Sequence, residues 1–591
     1  MAPSVPSSYR PRKKRKSAAL FAGSNNPLTI DAGEGKAAPA FPLVSFLWGA
    51  RAGVSQWLVL PLILMTVGLF RWAVSLWGYS GFNTPPMYGD FEAQRHWMEI
   101  TIHLPLSKWY TYDLQYWGLD YPPLTAYHSW LLGKIGSVFD PTLFALDDSR
   151  GIEGSLLKVF MRATVVVSEY LVYIPAIVTF LRRYTRMQAV PVWSSSIALS
   201  AILLQPATIL IDHGHFQYNT VMLGLFVASL DAIMAGRMLW ACIFFVGALG
   251  FKQMALYYAP VMFAFLLGIC IFPRIRLVRL FCIALVTIAS FTALLLPLLL
   301  GATSTEAGKQ PVPEPPLLQA FPVNLDHGSS LYLILFQLTQ IVHRIFPFSR
   351  GLFEDKVANA WCAIHTFYKL HHFEPELLKR VSLGATLASI LIPCAIVFRH
   401  PRASILLPAF ATVGWGFFLF SFQVHEKSVL LPLLPMTLLI AGDGGLNKDT
   451  RSWVGWANIL GSWTLYPLLK RDGLQVPYFV VTCLWAYLLG LPPTSWQIYR
   501  HQRPVGEVEA DTEPHGLTRL IHILFYLAMV GWHVLEAFIP PPPGKPDLWV
   551  VLNVLIGAGG FGISYLWCLW KLISLSRRID SKVEDARKKN Q

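Results

Sequence analysis

Long stretches without charge decide what this chain can become. Trp57 to Phe70, Trp193 to Ile211 and Phe281 to Leu300 contain no charged side chain. A helix needs about 20 mostly apolar residues to cross the hydrocarbon of a bilayer. Runs of this kind recur along the 591 residues, of which 54% are apolar and 14% charged. An average soluble domain has about 25% charged residues, and no soluble core absorbs so much apolar surface. The sequence therefore predicts an all-α polytopic membrane protein. Candidate spans fall at 56–78, 122–138, 159–181, 190–211, 216–235, 238–273 (one pass or two), 278–300 and 329–346. The second half offers 381–399, 403–423, 428–442, 454–470, 473–490, 520–538 and 548–573. Taken at the length a crossing needs, this makes about 14 transmembrane helices.

Charge sets the expected orientation. The net charge is +14, and much of it lies in two clusters, Arg10 to Lys16 and Arg577 to Lys589. Basic clusters also occur in nucleic-acid binding. Beside spanning helices the better reading is retention in the cytoplasm next to anionic lipid, so no nucleic-acid partner is expected. The first 50 or so residues are polar or small, and no cleavable signal peptide is read there. The terminal Lys588-Lys589-Asn590-Gln591 resembles the dilysine signal that returns membrane proteins to the endoplasmic reticulum and works from the cytosol. Both termini are then cytoplasmic and the number of spans even. One conflict stands: strict alternation puts Arg182, Arg183 and Arg186 in the lumen, so either 122–138 does not cross fully or the charge bias fails locally.

The expected organisation is a disordered basic cytoplasmic tail over 1–50 and an N-terminal helical module over 51–300 that includes a lumenal loop at 79–121. A lumenal and re-entrant loop region follows at 301–380, a C-terminal helical module at 381–573 and a basic cytoplasmic tail at 574–591. The seven cysteines lack metal-ligand spacing and read as small buried hydrophobes. There is no internal repeat and no Walker or Rossmann glycine pattern, which argues against a transporter with its own ATPase.

Four polar clusters could carry chemistry. In Gly89-Asp90-Phe91-Glu92-Ala93-Gln94-Arg95, the side chains of Asp90, Glu92 and Arg95 are spaced to meet on one helical turn. Asp90 is either a helix cap or a general base at the mouth of a membrane-edge pocket. In Trp117-Gly118-Leu119-Asp120-Tyr121-Pro122-Pro123, the prolines start a helix. There Asp120 either caps that helix or orients a sugar hydroxyl. The aromatics Trp109, Tyr110, Tyr112, Tyr116, Trp117 and Tyr121 suit an interfacial belt or a sugar-stacking wall. The segment Asp212-His213-Gly214-His215-Phe216-Gln217, with Lys252 beyond it, is either a metal cluster or the polar rim of a pocket, and the rim is preferred. In Gln423-Val424-His425-Glu426-Lys427, His425 and Lys427 are placed to neutralise a phosphate, or are ordinary loop charges.

The stretches Gly89 to Ile100, Tyr112 to Ala126, His213 to Asn219, Arg344 to Cys362 and Phe422 to Lys427 resemble those of one family, and the likeness runs from about residue 50 to the C-terminus. It is the dolichyl-phosphate-glucose-dependent glucosyltransferase family of the endoplasmic reticulum. Within it the likeness is to members that add the first glucose to Man9GlcNAc2-diphosphate-dolichol; the member that adds the second is a paralogue. The resemblance implies the multi-helix membrane glycosyltransferase (GT-C) fold. It also implies a dolichyl phosphate glucose donor, a dolichol-linked oligosaccharide acceptor and inverting α-1,3 transfer on the lumenal side. By the same resemblance Asp90 matches the acidic residue of the first lumenal loop, and His425 the residue near the donor phosphate. The chemistry asks for a base and a cation. Asp90 is the expected base, with His425 first and Lys427 second for the leaving phosphate. Asp120, Glu92, Arg95 and Tyr121 are expected as acceptor-orienting or structural groups. No cofactor or metal is expected. A polyprenyl-lipid or solute transporter and a structural subunit are the rival classes, and both predict that Asp90 is dispensable for sugar transfer.

Overall fold

The computed structural model describes residues 41–50, 56–303, 312–320, 326–346, 356–500 and 513–589. The basic cluster Arg10 to Lys16, Arg51, the loop acids Glu354, Asp355, Glu507, Glu509 and Asp511, and the last two residues lie outside them, as do the side chains of Lys588 and Lys589. Among the described residues every regular element is helical.

Among the described residues, eight helices are long and apolar enough to cross a bilayer, including Leu58–Ser75, Ser155–Met187, Gln253–Ile271, Leu277–Ala302 and Leu548–Ser581. A ninth is counted if Val192–Leu203 and Pro206–Phe216, bent by 45° at their junction, act as one. The count of about 14 is thus not reached by length and composition. Some expected spans are shorter: Asn219–Met234, Met238–Phe251 and Gln475–Leu488 each have fewer than 18 residues. The stretch expected at 454–470 is covered by the helix Lys448–Thr464, buried along almost its whole length around Trp453, Trp456 and Trp463, and by the helix Tyr466–Arg471. A helix that is apolar on every side is equally a buried core helix or a span. The outer surface is apolar where it meets lipid: in Leu277–Ala302 only 11% of the most apolar window is buried, and Phe281, Leu285 and Ile288 face outward.

Part of the stretch expected as a tail over 1–50 is helical and packed. Pro42–Leu47 is a helix whose Leu43 and Val44 join the main core, and the Arg451 guanidinium lies 3.8 Å from the centre of the Phe41 ring. At the other end, Leu548–Lys589 is one continuous helix through the stretch read as a tail.

The arginine conflict has a geometric answer. The helix Pro123–Phe139 packs on the helix Asp90–His103, and the turn Pro141–Phe144 after it packs on the same helix. There Arg95 donates to Leu143 O and His103 contacts Phe144 O. The helix has 17 residues and is not among the long apolar ones. From there Ser155–Met187 runs the length of the first span: Lys158 donates to Leu76 O near one end, and Arg182 and Arg186 share a cavity with Leu60 and Ile63 near the other. The three arginines therefore sit at the end where the first span begins.

Between lipid-soluble helices, packing and hydrogen bonds must supply the cohesion that the hydrophobic effect gives in water. One brace is fully buried: Arg71 makes two 2.7 Å bonds to the Glu169 carboxylate, which also holds His213 Nε2 at 2.5 Å. It ties the first span to the helix Ser155–Leu171 and to the bent pair.

Candidate active site

Asp90 is the first residue of the helix Asp90–His103, whose N-cap is Gly89. Its side chain caps nothing. Instead Oδ2 receives three groups from three distant segments: Gln217 Nε2 at 2.6 Å, Lys427 Nζ at 2.5 Å and His215 Nε2 at 2.8 Å. Oδ1 has no partner among the described residues. The carboxylate borders a cavity of about 580 Å³ shared with Tyr88, Trp117, His215, Lys427, Arg471 and Asp472. Burial would raise the pKa of Asp90. The Lys427 charge and the His215 hydrogen bond outweigh this and hold it well below the usual carboxylate range. One oxygen is anchored and the other faces open space, which is the arrangement a carboxylate needs to accept a proton from a bound hydroxyl.

Local backbone geometry aims these groups. Leu210–Phe216 forms a π-helical turn, a rare conformation concentrated at functional sites. It ends on Phe216 at φ +92°, a strained value for a residue with a side chain. Arg162 staples the turn by donating to the carbonyls of His213 and Gly214 at 2.7 Å and of Gly78 at 2.8 Å. The Ser80 amide adds a 2.9 Å bond to His215 O. The opposite wall is the end of the helix Tyr466–Arg471. Gly473 at φ +73° closes it, with Gly473 N bonded to Lys470 O and Leu474 N to Leu469 O. This is the Schellman pattern, and it leaves Asp472 at the C-cap facing His215 Nδ1 at 2.5 Å. A Cβ on Gly78 would overlap the Asp472 carbonyl oxygen, so only glycine lets the two turns approach this closely.

The remaining expected residues divide clearly. Gln217 bridges outward: its Oε1 accepts from Lys252 Nζ at 3.0 Å and from the Tyr121 hydroxyl at 3.3 Å, and Lys252 also reaches Asn219 at 2.7 Å. Tyr121 and Lys252 thus stand behind Asp90. Glu92 and Arg95 do not meet Asp90. Arg95 pairs with Glu92 at 2.6 Å and Glu99 at 2.5 Å and binds Ser149, locking the helix to the loop after Pro123–Phe139. Burial would raise Glu99, but the His96 hydrogen bond and the Arg95 charge bring it down to about 2. Asp212, His213 and His215 point three ways: Asp212 accepts from Asn219 and Thr220, His213 meets Glu169, and His215 alone of the three borders the cavity. They form no metal cluster among the described residues. Asp120 is half-buried and is not the N-cap residue of Pro123–Phe139, which is Pro122. His425 is half-buried just before the short turn Glu426–Val429; of the pair expected at the phosphate, Lys427 is the one beside Asp90. Of the six loop aromatics, Trp117 borders the cavity, whereas Trp109 and Tyr110 are core residues.

Sequence reasoning missed Asp472, Arg162 and Arg471. The short polar break Lys470-Arg471-Asp472-Gly473 between two apolar runs was the available signal, since ionisable groups at a membrane edge are functional candidates by default.

Comparison with known proteins agrees with the resemblance in the motifs. A family model described as the ALG6, ALG8 glycosyltransferase family matches residues 66–312 and 328–570. A Schizosaccharomyces pombe protein named "Probable dolichyl pyrophosphate Man9GlcNAc2 alpha-1,3-glucosyltransferase" is 42% identical over 547 residues, 92% of this chain and 97% of that one. The Saccharomyces cerevisiae protein named "Dolichyl pyrophosphate Man9GlcNAc2 alpha-1,3-glucosyltransferase" is 42% identical over 550 residues, 90% of this chain and 95% of its own. A Gallus gallus protein of the same name is 37% identical over 544 residues, covering 87% of this chain and 98% of that one. With its motifs matched across nearly the whole length, the chain belongs to the ALG6, ALG8 glycosyltransferase family.

Proposed function

We propose that this protein transfers glucose from dolichyl phosphate glucose to Man9GlcNAc2-diphosphate-dolichol, forming an α-1,3 linkage with inversion. The reading rests on the names of relatives matched over about nine-tenths of the chain and, above all, on Asp90 with one carboxylate oxygen open to the cavity. The protein works in the endoplasmic reticulum membrane with a GT-C fold, its cavity lumenal and both termini cytoplasmic. The position of Arg182, Arg183 and Arg186 at the end remote from Asp90 supports that orientation. An N-terminal module over 51–300 supplies Asp90, His215 and Gln217; a C-terminal module over 381–573 supplies Lys427.

In the reaction the acceptor 3-hydroxyl attacks C1 of the glucose as the bond from C1 to the phosphate oxygen breaks. The hydroxyl proton passes to Asp90 Oδ1, and dolichyl phosphate leaves with the bonding electron pair. A hydroxyl holds its proton until attack is under way, so a carboxylate in contact at that moment is required. The leaving phosphate is already an anion and needs added positive charge rather than a strong acid. Lys427 supplies it from beside Asp90, with His425 two residues away on the same turn. Gln217, held by Lys252 and Tyr121, keeps Asp90 Oδ2 in place.

The test is transfer by purified protein given dolichyl phosphate glucose and lipid-linked acceptors bearing nine mannoses, with or without one glucose. One α-1,3 glucose added to the unglucosylated acceptor is expected. Transfer only to the acceptor already carrying glucose assigns the protein to the second step, and no transfer by folded protein removes the reading.

A further inference from the structure

We propose that Asp472 is a positioning residue of this glucosyl transfer, holding the His215 imidazole so that Asp90 keeps Oδ2 anchored and Oδ1 open. The proposal rests on the function proposed above and names a residue that function did not require. Asp472 lies 257 positions from His215 in the chain, yet its Oδ2 is 2.5 Å from His215 Nδ1. Both side chains are almost wholly buried, at 3% and 2% exposure. The contact is built, not incidental: a Schellman turn fixes Asp472, and Arg162 and the Ser80 amide fix the backbone that carries His215.

A carboxylate on Nδ1 assigns the proton of the ring. Nδ1 carries hydrogen and donates to Asp472, so Nε2 is the nitrogen turned to Asp90 Oδ2 at 2.8 Å. Lys427 Nζ is 3.3 Å from the same Nε2. Flanked by two carboxylates, the ring is an imidazolium: Nδ1–H donates to Asp472, Nε2–H donates to Asp90 Oδ2, and Lys427 donates to the same oxygen. When a substrate phosphate draws Lys427 away, Nε2–H still donates to that oxygen. The buried negative charge of Asp472 stabilises the imidazolium. Asp90 Oδ2 therefore keeps a charged donor throughout the cycle, and the proton of the acceptor hydroxyl has one place to go, Oδ1. The charged groups facing this pair are Lys427 and His215 on Asp90, and Asp90, Asp472 and Lys427 on His215. Lys252 stands behind Gln217, and Arg162 behind the His215 turn.

The experiment compares native protein with Asp472→Asn, Asp472→Ala and Asp472→Glu, measuring kcat, KM for each lipid substrate and the pH profile of kcat, with thermal unfolding in parallel. Misplacing a reacting group by about 1 Å costs about 100-fold. Asp472→Ala is expected to lose kcat by up to about that factor with KM little changed. Asp472→Asn keeps an acceptor for Nδ1–H but not the charge, so it falls between. In both, the acid limb of kcat moves to higher pH, because Asp90 loses support from a charged neighbour. Native kcat and an unmoved acid limb in Asp472→Asn overturn the proposal. So does a fall in activity that merely follows lost folded protein or a raised KM. If Asn and Ala do not fold, Asp472→Glu decides: it keeps the charge but displaces it, and must lower kcat in protein with native unfolding temperature. Native protein that transfers no glucose at all refutes the parent function instead, so the two failures are distinguishable.

Discussion

Replacing Asp90 by Asn tests the centre of the argument with the smallest change of shape. In the native site Oδ2 is held by Gln217, Lys427 and His215 at 2.6, 2.5 and 2.8 Å, and Oδ1 is open. Two of those three groups carry or readily take positive charge, so they hold the amide oxygen of Asn in the Oδ2 position. The amide nitrogen then occupies the place of Oδ1 and presents N–H to the acceptor hydroxyl, where an acceptor is needed. General-base assistance contributes about 10²- to 10⁴-fold, which is about 3–5 kcal/mol of barrier. Bonds to a neutral oxygen are weaker than bonds to a carboxylate by about 1 kcal/mol each, and the first-turn acid also loses about 0.3–1 kcal/mol of helix-dipole interaction. The expected outcome is a fold loosened by about 2–4 kcal/mol with turnover down by at least ~100-fold. Purified native and variant protein would be assayed by glycan mass and linkage, with unfolding curves alongside. Retention of more than about a tenth of native turnover in folded variant means under about 1.4 kcal/mol of transition-state stabilisation was lost. That result would remove Asp90 as the base.

Three further outcomes are expected. Because Asp90 sits well below the usual carboxylate range, its stabilising contribution is complete above its unfolded value near ~3.9 and is lost as pH falls through the lower folded value. Lys427→Met removes the largest lowering influence, so the acid limb of activity should move upward in pH and the KM for the donor should rise; a pH–rate series that leaves both unchanged contradicts this. Glu169→Ala strands Arg71 and His213 in the interior and should destabilise the protein by about 3–5 kcal/mol, read as lost folded protein in detergent; native stability would mean the brace is idle. Gly78→Ala forces its new methyl onto the Asp472 carbonyl and should reduce turnover more than it reduces unfolding temperature. Equal turnover in that variant would show that the two turns can separate without consequence.

What the sequence determines by itself is the medium and the chemistry of single segments. Uncharged runs such as Phe281 to Leu300 require lipid, and the motif around Asp90 identifies the family through local residues. It does not say which helices stand inside the bundle and which face outward: Asn219–Met234 is buried along most of its length, whereas Leu277–Ala302, just as apolar, is mostly exposed. Nor does it separate the acids of one motif: Asp90 faces the cavity, while Glu92, two residues on, turns to Arg95. Only the tertiary structure decides that the oxygen of Asp90 is gripped from residues 215, 217 and 427, and that Asp472 stands behind His215. The physical reason is distance along the chain. Helical periodicity fixes neighbours three or four residues apart, whereas contacts hundreds of residues apart follow from how whole helices pack and where a turn such as Gly473 stops them.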